Sequence, residues 1–347
     1  MTDLLVVGGG PVGLATALHG VRRGLSVTVW EPRSGVIDKA CGEGLMPGGL
    51  AALAELGVDP EGESLTGISY LSGSRSVEAA FRSGPGRGVR RTTLHQALRD
   101  AVLDSGVQIV PRKLTSLSQT SGGVRVDDEP AVGHVVAADG LHSPTRRLLG
   151  LGRPSPLRRY GQRVHVRTAP WTSFVEVHWS GHTEAYVTPV DSDLVGVAVL
   201  TSRRAPFHTH LRAFPSLVGR LAGRPLTAVH GAGPLWQRTS RRVLGRVLLV
   251  GDAAGYVDAL TGEGISLGLA QAAAAVEAVD AGDASAYERE WAAITRSYRV
   301  LTTGLLAAAS VPVLRQAVVP AAAALPGVFS SIVNTLAGSP VPVGSAR

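Results

Sequence analysis

A glycine-rich turn close to the start of the chain has the spacing of a dinucleotide phosphate site. It contains Gly8, Gly10 and Gly13, with Pro11 and Val12 between the last two glycines. Gly8 permits a tight turn, Gly10 lets the backbone approach a pyrophosphate, and Gly13 allows a helix to pack closely. The first N–H groups of that helix would present partial positive charge to the phosphates. The turn therefore predicts a bound dinucleotide.

The segments on either side of the turn strengthen this prediction. An apolar strand-like run precedes it, a helical run covers residues 14–23, and a second strand covers residues 26–30. Glu31 follows this second strand directly, and Pro32 and Arg33 complete the same turn. A carboxylate at this place can accept hydrogen bonds from an adenosine ribose and would repel a 2′-phosphate. Glu31 therefore favours FAD or NAD over NADP at this site.

Two later segments indicate which dinucleotide is bound. Residues 135–146 read VVAADGLHSPTR, and residues 246–264 read RVLLVGDAAGYVDALTGEG. The first resembles the Asp-Gly motif, and the second the Gly-Asp motif, of FAD-dependent monooxygenases of the p-hydroxybenzoate hydroxylase fold. The GDAA and TGEGI portions resemble the geranylgeranyl reductase and halogenase branches. The three motifs stand in the family's order, so the resemblance implies non-covalently bound FAD.

The resemblance assigns roles to residues of the Gly-Asp motif. Gly251 and Asp252 end a strand, and in the family this aspartate hydrogen-bonds the ribityl chain of the flavin. Gly262, Gly264 and Ile265 open a helix. Its N–H groups can face the pyrimidine edge of the flavin and stabilise the anionic reduced ring.

Three further residues are assigned to the cofactor by the same resemblance. Asp139 contacts the flavin partly indirectly in the family, and a structural turn aspartate is the alternative. Arg91 begins an Arg-x-x-Leu-x-x-x-Leu segment that starts a helix beside the flavin, and a solvated arginine is the alternative. Lys39 falls where the family carries a basic residue near the pyrophosphate.

Cys41 and Glu43 are the candidate catalytic residues. They follow the second strand, in a region that lies near the flavin in the resembling folds, and a similar cysteine-glycine pair occurs in geranylgeranyl reductases. Cys41 would shape the pocket or donate a proton, and Glu43 would orient the substrate. Plain packing is equally consistent for Cys41, because free cysteine is often a small buried hydrophobe.

The predicted fold class is α/β, with a Rossmann-like FAD-binding domain, an interleaved antiparallel-sheet substrate domain and a C-terminal helical tail. Residues 155–200 alternate as strands do, which predicts the substrate sheet. On these strands, His165 and His178 are expected to face solvent, and no metal site is predicted. The predicted boundaries place the FAD-binding domain at residues 1–75, 91–152 and 241–285, the substrate domain at 76–90 and 153–240, and the apolar helical segment at 286–347.

The segment 301–336 is almost uncharged, and its longest apolar run contains two prolines, so a transmembrane helix is not predicted. Two alternatives remain. The segment packs against the core, or it forms an apolar lid with peripheral membrane contact. In the second alternative, Arg296, Arg299 and Arg315 would touch anionic headgroups.

Charge and cysteine content limit the partners and the compartment. The net charge of +7 comes almost wholly from arginine, because Lys39 and Lys113 are the only lysines. No basic run with interleaved aromatic residues predicts nucleic-acid binding. A single cysteine excludes an internal disulfide, and the start of the chain does not read as a signal peptide. These features predict a cytoplasmic protein, associated with the inner face of the membrane in the lid alternative. They leave the oligomeric state open.

The leading prediction for the reaction is an FAD-dependent monooxygenase that uses NAD(P)H and O2. It would hydroxylate or epoxidise an apolar aromatic, polyketide or isoprenoid substrate through a flavin C4a-hydroperoxide. No second glycine fingerprint is present, which is consistent with NAD(P)H as a transient co-substrate. The first alternative is a flavin-dependent reductase that saturates isoprenoid double bonds. A flavin-dependent scaffold is the non-enzymatic alternative, and halogenation is disfavoured because the Trp-x-Trp-x-Ile-Pro signature is absent.

Overall fold

The computed structural model describes residues 2–155 and 157–338, so the last part of the predicted helical segment, 339–347, lies outside the described residues. The strands, in chain order, are β1 (Leu4–Val7), β2 (Val27–Trp30), β3 (Gly44–Leu45), β4 (Glu63–Leu65), β5 (Gly67–Ser72), β6 (Arg75–Ala80), β7 (Gly86–Gly88), β8 (Gln108–Val110), β9 (Leu117–Thr120), β10 (Gly123–Val126), β11 (His134–Ala137), β12 (Gly152–Arg153), β13 (Tyr160–Arg167), β14 (Phe174–Trp179), β15 (Thr183–Asp191), β16 (Leu194–Thr201), β17 (His230–Ala232), β18 (Arg238–Thr239), β19 (Val243–Leu244) and β20 (Val247–Leu249).

The helices divide between the nucleotide-binding part, the sheet insertion and the tail. They are α1 (Pro11–Arg22), α2 (Pro47–Glu55), α3 (Arg91–Asp104), α4 (Pro144–Leu148), α5 (Phe207–Leu211), α6 (Pro215–Leu221), α7 (Gly264–Asp280), α8 (Ala286–Ser310), α9 (Pro312–Ala324) and α10 (Pro326–Ala337). A single 3₁₀ turn among the described residues spans Gly251–Ala254.

A six-stranded sheet carries the nucleotide-binding motifs. Its order is β19-β20-β11-β1-β2-β8, and every pair is parallel except β19 with β20. The central strand β1 is apolar throughout because both faces are covered. Leu4 and Val6 face the layer of α1, α3 and α7, whereas Leu5 and Val7 face a smaller cluster that includes the β9–β10 hairpin.

A seven-stranded sheet, of order β17-β13-β16-β15-β14-β5-β6, forms the second layer system. Neighbours are antiparallel except β14 with β5, which run parallel. The predicted α/β class with an interleaved sheet domain is confirmed. The boundary expected at residue 76 stays a prediction, and β5 already lies in this second sheet.

The two faces of the seven-stranded sheet bury different elements. One face packs valines of β13, β15 and β16 against Phe207, Phe214 and Leu217 of α5 and α6. The other face, which includes Trp179 and Tyr186, packs against Leu260, which follows the 3₁₀ turn, and against Ala309 and Val319 of the tail helices. Alternate residues along these strands therefore pack into two different hydrophobic cores, one on each face of the sheet.

Prolines define the tail helices. α9 and α10 each begin with a proline at the first helical position, where the missing N–H group costs nothing. Among the described residues, no single helix is long and apolar enough to cross a membrane. The α9–α10 pair passes that test only when taken together, and it is bent by 101°. The tail packs on the second sheet through contacts such as Phe329 and Val333 with Val77 of β6.

Candidate functional site

The glycine turn between β1 and α1 has no room for side chains at two positions. Gly8 has φ +106°, which is unfavourable for residues with a Cβ, and a Cβ on Gly13 would lie only 1.8 Å from the carbonyl oxygen of Gly8. A Cβ on Gly10 would meet nothing within 4 Å, because this residue faces open space. The turn thus presents bare backbone at the start of α1.

Glu31 holds the glycine turn in place through hydrogen bonds. Its carboxylate accepts hydrogen bonds from the Gly9 N–H at 2.9 Å and from the backbone and side chain of Arg33 at 3.0 and 2.7 Å. Burial alone would raise the pKa of Glu31, but these hydrogen bonds outweigh burial and lower it. Pro32 is exposed, as is Arg33. Glu31 therefore remains an anion fixed beneath the turn.

A cavity of about 930 Å³ opens above this turn and between the two sheets. It brings together most of the predicted cofactor residues, whereas Gly8, Gly13, Glu31, Pro32 and Arg33 do not line it. Of the predicted residues, those that line it are Gly10, Pro11, Val12, Lys39, Cys41, Glu43, Arg91, Asp139, Gly251, Asp252, Gly262, Gly264 and Ile265.

The Gly-Asp motif forms one wall of the cavity. Gly251 has φ +59° and passes close to Val12 at the start of α1. Burial raises the pKa of Asp252, while Lys39, Arg146 and Arg91 act against that rise. No described protein group donates a hydrogen bond to the Asp252 carboxylate, so it is available to a hydroxyl of a ligand.

Arg146 joins the Asp-Gly and Gly-Asp motifs. Its Nη1 donates to the carbonyls of Asp252 and Ala253 at 3.1 and 3.0 Å, and its Nη2 donates to that of Leu141 at 2.7 Å. Asp139 accepts from the Thr145 N–H at 2.9 Å through Oδ2. Sequence reasoning did not assign Arg146 to the site, although it ends the quoted Asp-Gly segment. The two motifs are therefore positioned as one unit.

Arg91 is buried, at 5% exposure, so the alternative of a solvated arginine is wrong. It is the first residue of α3, and burial lowers its pKa. On the same helix, His95 accepts from the Ile37 N–H through Nδ1 at 3.3 Å and therefore donates from Nε2 to the carbonyl of Gly9 at 2.8 Å. His95 was missed, because a lone histidine on a helix carries no sequence signal for this contact.

The residues around the cavity fit FAD. Arg91 Nη1 and Asp139 Oδ1 are buried and have no hydrogen-bond partner among the described residues. Within the same part of the chain, neither Lys39 nor Arg91 forms an ion pair. Two cations without a carboxylate partner, beside the bare backbone of Gly10, match an anionic pyrophosphate. Asp139 and Asp252 match the polar edge and the hydroxyls of the remaining cofactor.

Cys41 and Glu43 lie where the cofactor wall meets the seven-stranded sheet. The Glu43 carboxylate is buried and accepts hydrogen bonds from the Arg91 N–H at 2.9 Å and from His165 Nε2 at 2.7 Å. Burial, and next the Glu43 carboxylate, raise the pKa of the Cys41 thiol, with Arg91 and Arg163 acting against them. Cys41 is thus a protonated thiol at the cavity surface.

The expectation that His165 and His178 face solvent is wrong. Both are buried, and each is paired with a carboxylate, His165 with Glu43 and His178 with Glu176 at 2.9 Å. Both faces of this sheet are covered, so alternation does not place either histidine in water. Among residues 2–155 and 157–338, no cluster of three or more His, Cys, Asp or Glu side chains could hold a metal ion.

The far side of the cavity is apolar and is built by the tail. Helices α8, α9 and α10 contribute Leu301, Leu305, Val318, Ala322, Phe329 and Val333, facing Ile68, Val177 and Leu200 of the second sheet. At the opening stand the exposed side chains of Val300, Leu325, Val328 and Ile332. The tail therefore packs against the core and also leaves an apolar rim.

Buried charges fix α9 over this cavity. Arg315 is 5% exposed and its Nη2 lies 2.7 Å from Glu184 of β15. Glu184 also pairs with Arg159 at 2.7 Å, and Arg159 pairs with Asp258 at 2.9 Å. The expectation that Arg315 touches lipid headgroups is therefore wrong. Sequence reasoning missed this chain of ion pairs because its members lie far apart along the sequence.

Comparison with known proteins adds three findings. The family described as FAD binding domain matches residues 1–213. Menaquinone reductase of Mycolicibacterium smegmatis is 28% identical over 331 residues, 85% of this chain and 80% of that protein. Digeranylgeranylglycerophospholipid reductase 1 of Methanothermobacter thermautotrophicus is 28% identical over 332 residues, 83% and 81% of the two chains.

A solved flavin-dependent brominase has a similar fold, with a TM-score of 0.79 at 15% identity over 97% of this chain and 93% of that one. The resemblance drawn from the three motifs is thereby confirmed. The family match and the residues that line the cavity both indicate that the cofactor is FAD. The chain belongs to the FAD binding domain family and is an FAD-dependent oxidoreductase.

Proposed function

We propose that this oxidoreductase is a reductase that saturates a carbon–carbon double bond in the isoprenoid chain of an apolar lipid. One observation carries the proposal: a single cavity runs from the cofactor cradle to apolar walls made by α8, α9 and α10. Such walls suit a long hydrocarbon chain and offer little to a small hydrophilic acid. Two proteins similar to this chain are named menaquinone reductase and digeranylgeranylglycerophospholipid reductase, and these names support reduction of a lipid as the reaction class.

The residues of the cradle would bind FAD and orient it. Lys39, Arg91 and the start of α1 would hold the pyrophosphate, while Asp252 and Asp139 would hold the ribityl and ring-edge groups. When bound, FAD supplies the reducing equivalents for the double bond. NAD(P)H is proposed as the transient reductant of the enzyme.

Cys41 would supply the proton that saturation requires. Adding hydrogen across a double bond needs a hydride equivalent at one carbon and a proton at the other. The thiol lines the cavity, and its raised pKa keeps the proton on Sγ at neutral pH. Cys41 Sγ–H donates this proton to the substrate carbon, and the thiolate is then reprotonated from water.

The apolar rim gives the lipid a route into the cavity. Val300, Leu325, Val328 and Ile332 are exposed at the opening. We propose that this rim rests on the cytoplasmic face of a membrane, so that an isoprenoid chain enters without crossing water. Sedimentation with phosphatidylglycerol vesicles tests this contact, with Val328→Glu expected to release the protein. Leu148→Glu changes a residue that is exposed at 49% but does not line the cavity, and it should bind as the wild type does.

The deciding experiment is anaerobic turnover of the FAD-loaded protein with a reductant and a panel of prenylated quinones and geranylgeranyl lipids. A product heavier by two hydrogen atoms, formed without O2, is expected. Cys41→Ser should lower kcat more than it changes KM, because a hydroxyl is a weaker acid than a thiol. Absence of anaerobic product from every lipid contradicts the proposal.

Oxygenation is the second candidate, and the apolar cavity walls also favour it, because they would keep water from the reaction. In this case turnover would require O2, and the product would gain one oxygen atom. The same panel under air, with O2 uptake recorded beside NADPH and NADH oxidation, separates the two reactions.

A further inference from the structure

Glu43 is held in an unusual conformation at the end of the Cys41 loop. Its φ is +60°, a left-handed value that is unfavourable for a residue with a side chain. The loop is fixed by the Thr188 hydroxyl, which donates to the Gly42 carbonyl at 2.8 Å. Gly196 makes room for the carboxylate, because a Cβ there would lie 2.8 Å from Glu43 Oε2. The surroundings are thus shaped around one position of this carboxylate.

His165 is locked in one tautomer by its neighbours. Arg163 Nη1 lies 3.0 Å from His165 Nδ1, and an arginine can only donate, so Nδ1 is the acceptor. The imidazole proton is therefore on Nε2, from which it is donated to Glu43 Oε2 at 2.7 Å. Arg163 is itself held by Asp38, to which it donates a hydrogen bond. Each link orients the next, and the chain ends at the carboxylate near Cys41.

We propose that His165 is a positioning residue, which holds the Glu43 carboxylate beside the Cys41 loop, where the Glu43 N–H donates to Cys41 Sγ at 3.4 Å and the negative charge opposes loss of the thiol proton. This inference rests on the proposed function only in the use made of that proton. Among the described residues, the titratable groups that interact with Cys41 come from the elements around it and include Glu43, Arg91 of α3, Arg163 of β13 and Tyr256 after the 3₁₀ turn. Burial is the largest cause of the raised pKa of the Cys41 thiol, the Glu43 carboxylate adds to it, and the two arginines act in the opposite direction.

Cys41 is the only cysteine in the chain, so its acidity can be measured directly. The FAD-loaded protein is treated with iodoacetamide across a range of pH, and the rate of alkylation is followed by mass spectrometry. Only the thiolate reacts, so the rate reports its fraction. The wild-type curve should rise at higher pH than that of free cysteine in the same buffer. This readout requires neither substrate nor turnover.

Substitutions that remove the Glu43 charge, or the His165 hydrogen bond that holds it, should move the curve of Cys41 alkylation rate to lower pH. Glu43→Gln should raise the alkylation rate at pH 8 about tenfold, because one neighbouring charge shifts an ionisation by about one unit. His165→Leu should move the curve in the same direction, since the carboxylate loses the hydrogen bond that holds it in place. His165→Gln retains an N–H donor in place of Nε2 and should restore the wild-type curve.

The matched control is His178→Leu. His178 is the other buried histidine of the sheet that is paired with a glutamate, and it does not line the cavity. It should leave the alkylation curve unchanged. Flavin absorbance and circular dichroism establish that each variant is folded. If His165→Leu does not fold, Gly196→Ala provides the second test, because it displaces the Glu43 carboxylate without removing it.

An unchanged curve for Glu43→Gln, or for the folded variant that disturbs the carboxylate, overturns the inference. So does equal behaviour of His165→Leu and His165→Gln. Failure to form a saturated lipid would instead overturn the proposed function and leave the alkylation result standing. The two outcomes are therefore distinguishable.

Discussion

Arg315→Met should destabilise the protein and loosen the wall of the cavity at the same time. Arg315 lies on α9, and its guanidinium donates to the carbonyls of Ser180 at 2.5 Å and Ala309 at 3.2 Å while pairing with Glu184. Methionine fills a similar apolar volume but provides none of these contacts. The substitution leaves Glu184, which is 0% exposed, paired with Arg159 alone among the residues that the structure describes.

The expected loss follows from the burial of the pair. At an effective dielectric constant of about 20, two unit charges 2.7 Å apart attract by about 6 kcal/mol. The cost of removing the guanidinium of Arg315 from water offsets part of this attraction. Breaking a buried pair by deleting one partner typically costs about 3–5 kcal/mol, because the other charge stays buried. We expect a loss in this range for Arg315→Met.

Urea unfolding of FAD-saturated protein, followed by circular dichroism at one fixed FAD concentration, measures this loss. The matched control is Arg167→Met, which breaks the ion pair with Asp193 at 3.0 Å, where the two side chains are 76% and 57% exposed. Exposed pairs contribute about 0–1 kcal/mol. The double variant Arg315→Met with Glu184→Gln should recover part of the stability, because no unpaired buried charge remains.

Equal losses for Arg315→Met and Arg167→Met would refute the reasoning. A double variant that is less stable than Arg315→Met alone would also refute it. In the activity assay, the Arg315→Met protein should show a raised KM for the lipid, since α9 would no longer be fixed over the cavity.

Three further outcomes follow from the site. Gly13→Ala should abolish retention of FAD, measured as flavin absorbance per protein, because the new Cβ would lie 1.8 Å from the carbonyl oxygen of Gly8. Gly219→Ala is the control: a Cβ there meets nothing within 4 Å, so this variant should retain FAD fully. Lys39→Ala should weaken FAD binding about tenfold in a fluorescence titration, because it removes one charge contact with the cofactor. Lys113→Ala changes the other lysine, which is exposed, and should leave binding unchanged; equal effects of the two substitutions would contradict the assignment of Lys39 to the FAD site. Burial raises the pKa of Glu263 from 4.5 to about 8, so between pH 4.5 and 8 the folded state holds a proton that the unfolded state has released, and the free energy of unfolding should fall as pH rises through this window. Glu263→Gln should remove that fall, and parallel curves of stability against pH for the two proteins would contradict this role of Glu263.

The glycine turn and the Gly-Asp motif could be placed from sequence because their constraints are local. Gly8 and Gly251 have positive φ values; Gly8 follows β1 directly, and Gly251 follows β20 after one residue. The helix predicted to open at Gly262, Gly264 and Ile265 corresponds to α7, Gly264–Asp280, and β14, Phe174–Trp179, lies within the segment 155–200 whose alternation predicts strands. Such features depend on a few neighbouring residues, which a single sequence displays.

The buried polar groups could not be placed in this way. His165 meets Glu43, and Arg315 meets Glu184, across sequence separations that no local pattern encodes. The alternation of β13 marks which residues share a face, but it does not show that both faces are covered. The tail posed the same problem: its composition suits a core or a surface, and the structure uses it for both, as the exposed Val328 and buried Val333 show.

The order in which the cradle's parts occur along the chain has a consequence for biosynthesis. The turn at Gly10 is made first, whereas Asp252 and the start of α7 at Gly264 emerge from the ribosome only after the whole second sheet has been made. Because synthesis proceeds from the N-terminus, FAD cannot be fully enclosed on a nascent chain until late in translation. Flavin loading would then be completed late, because a polypeptide that ends before α7 lacks the wall of the cradle made by Asp252 and Gly264.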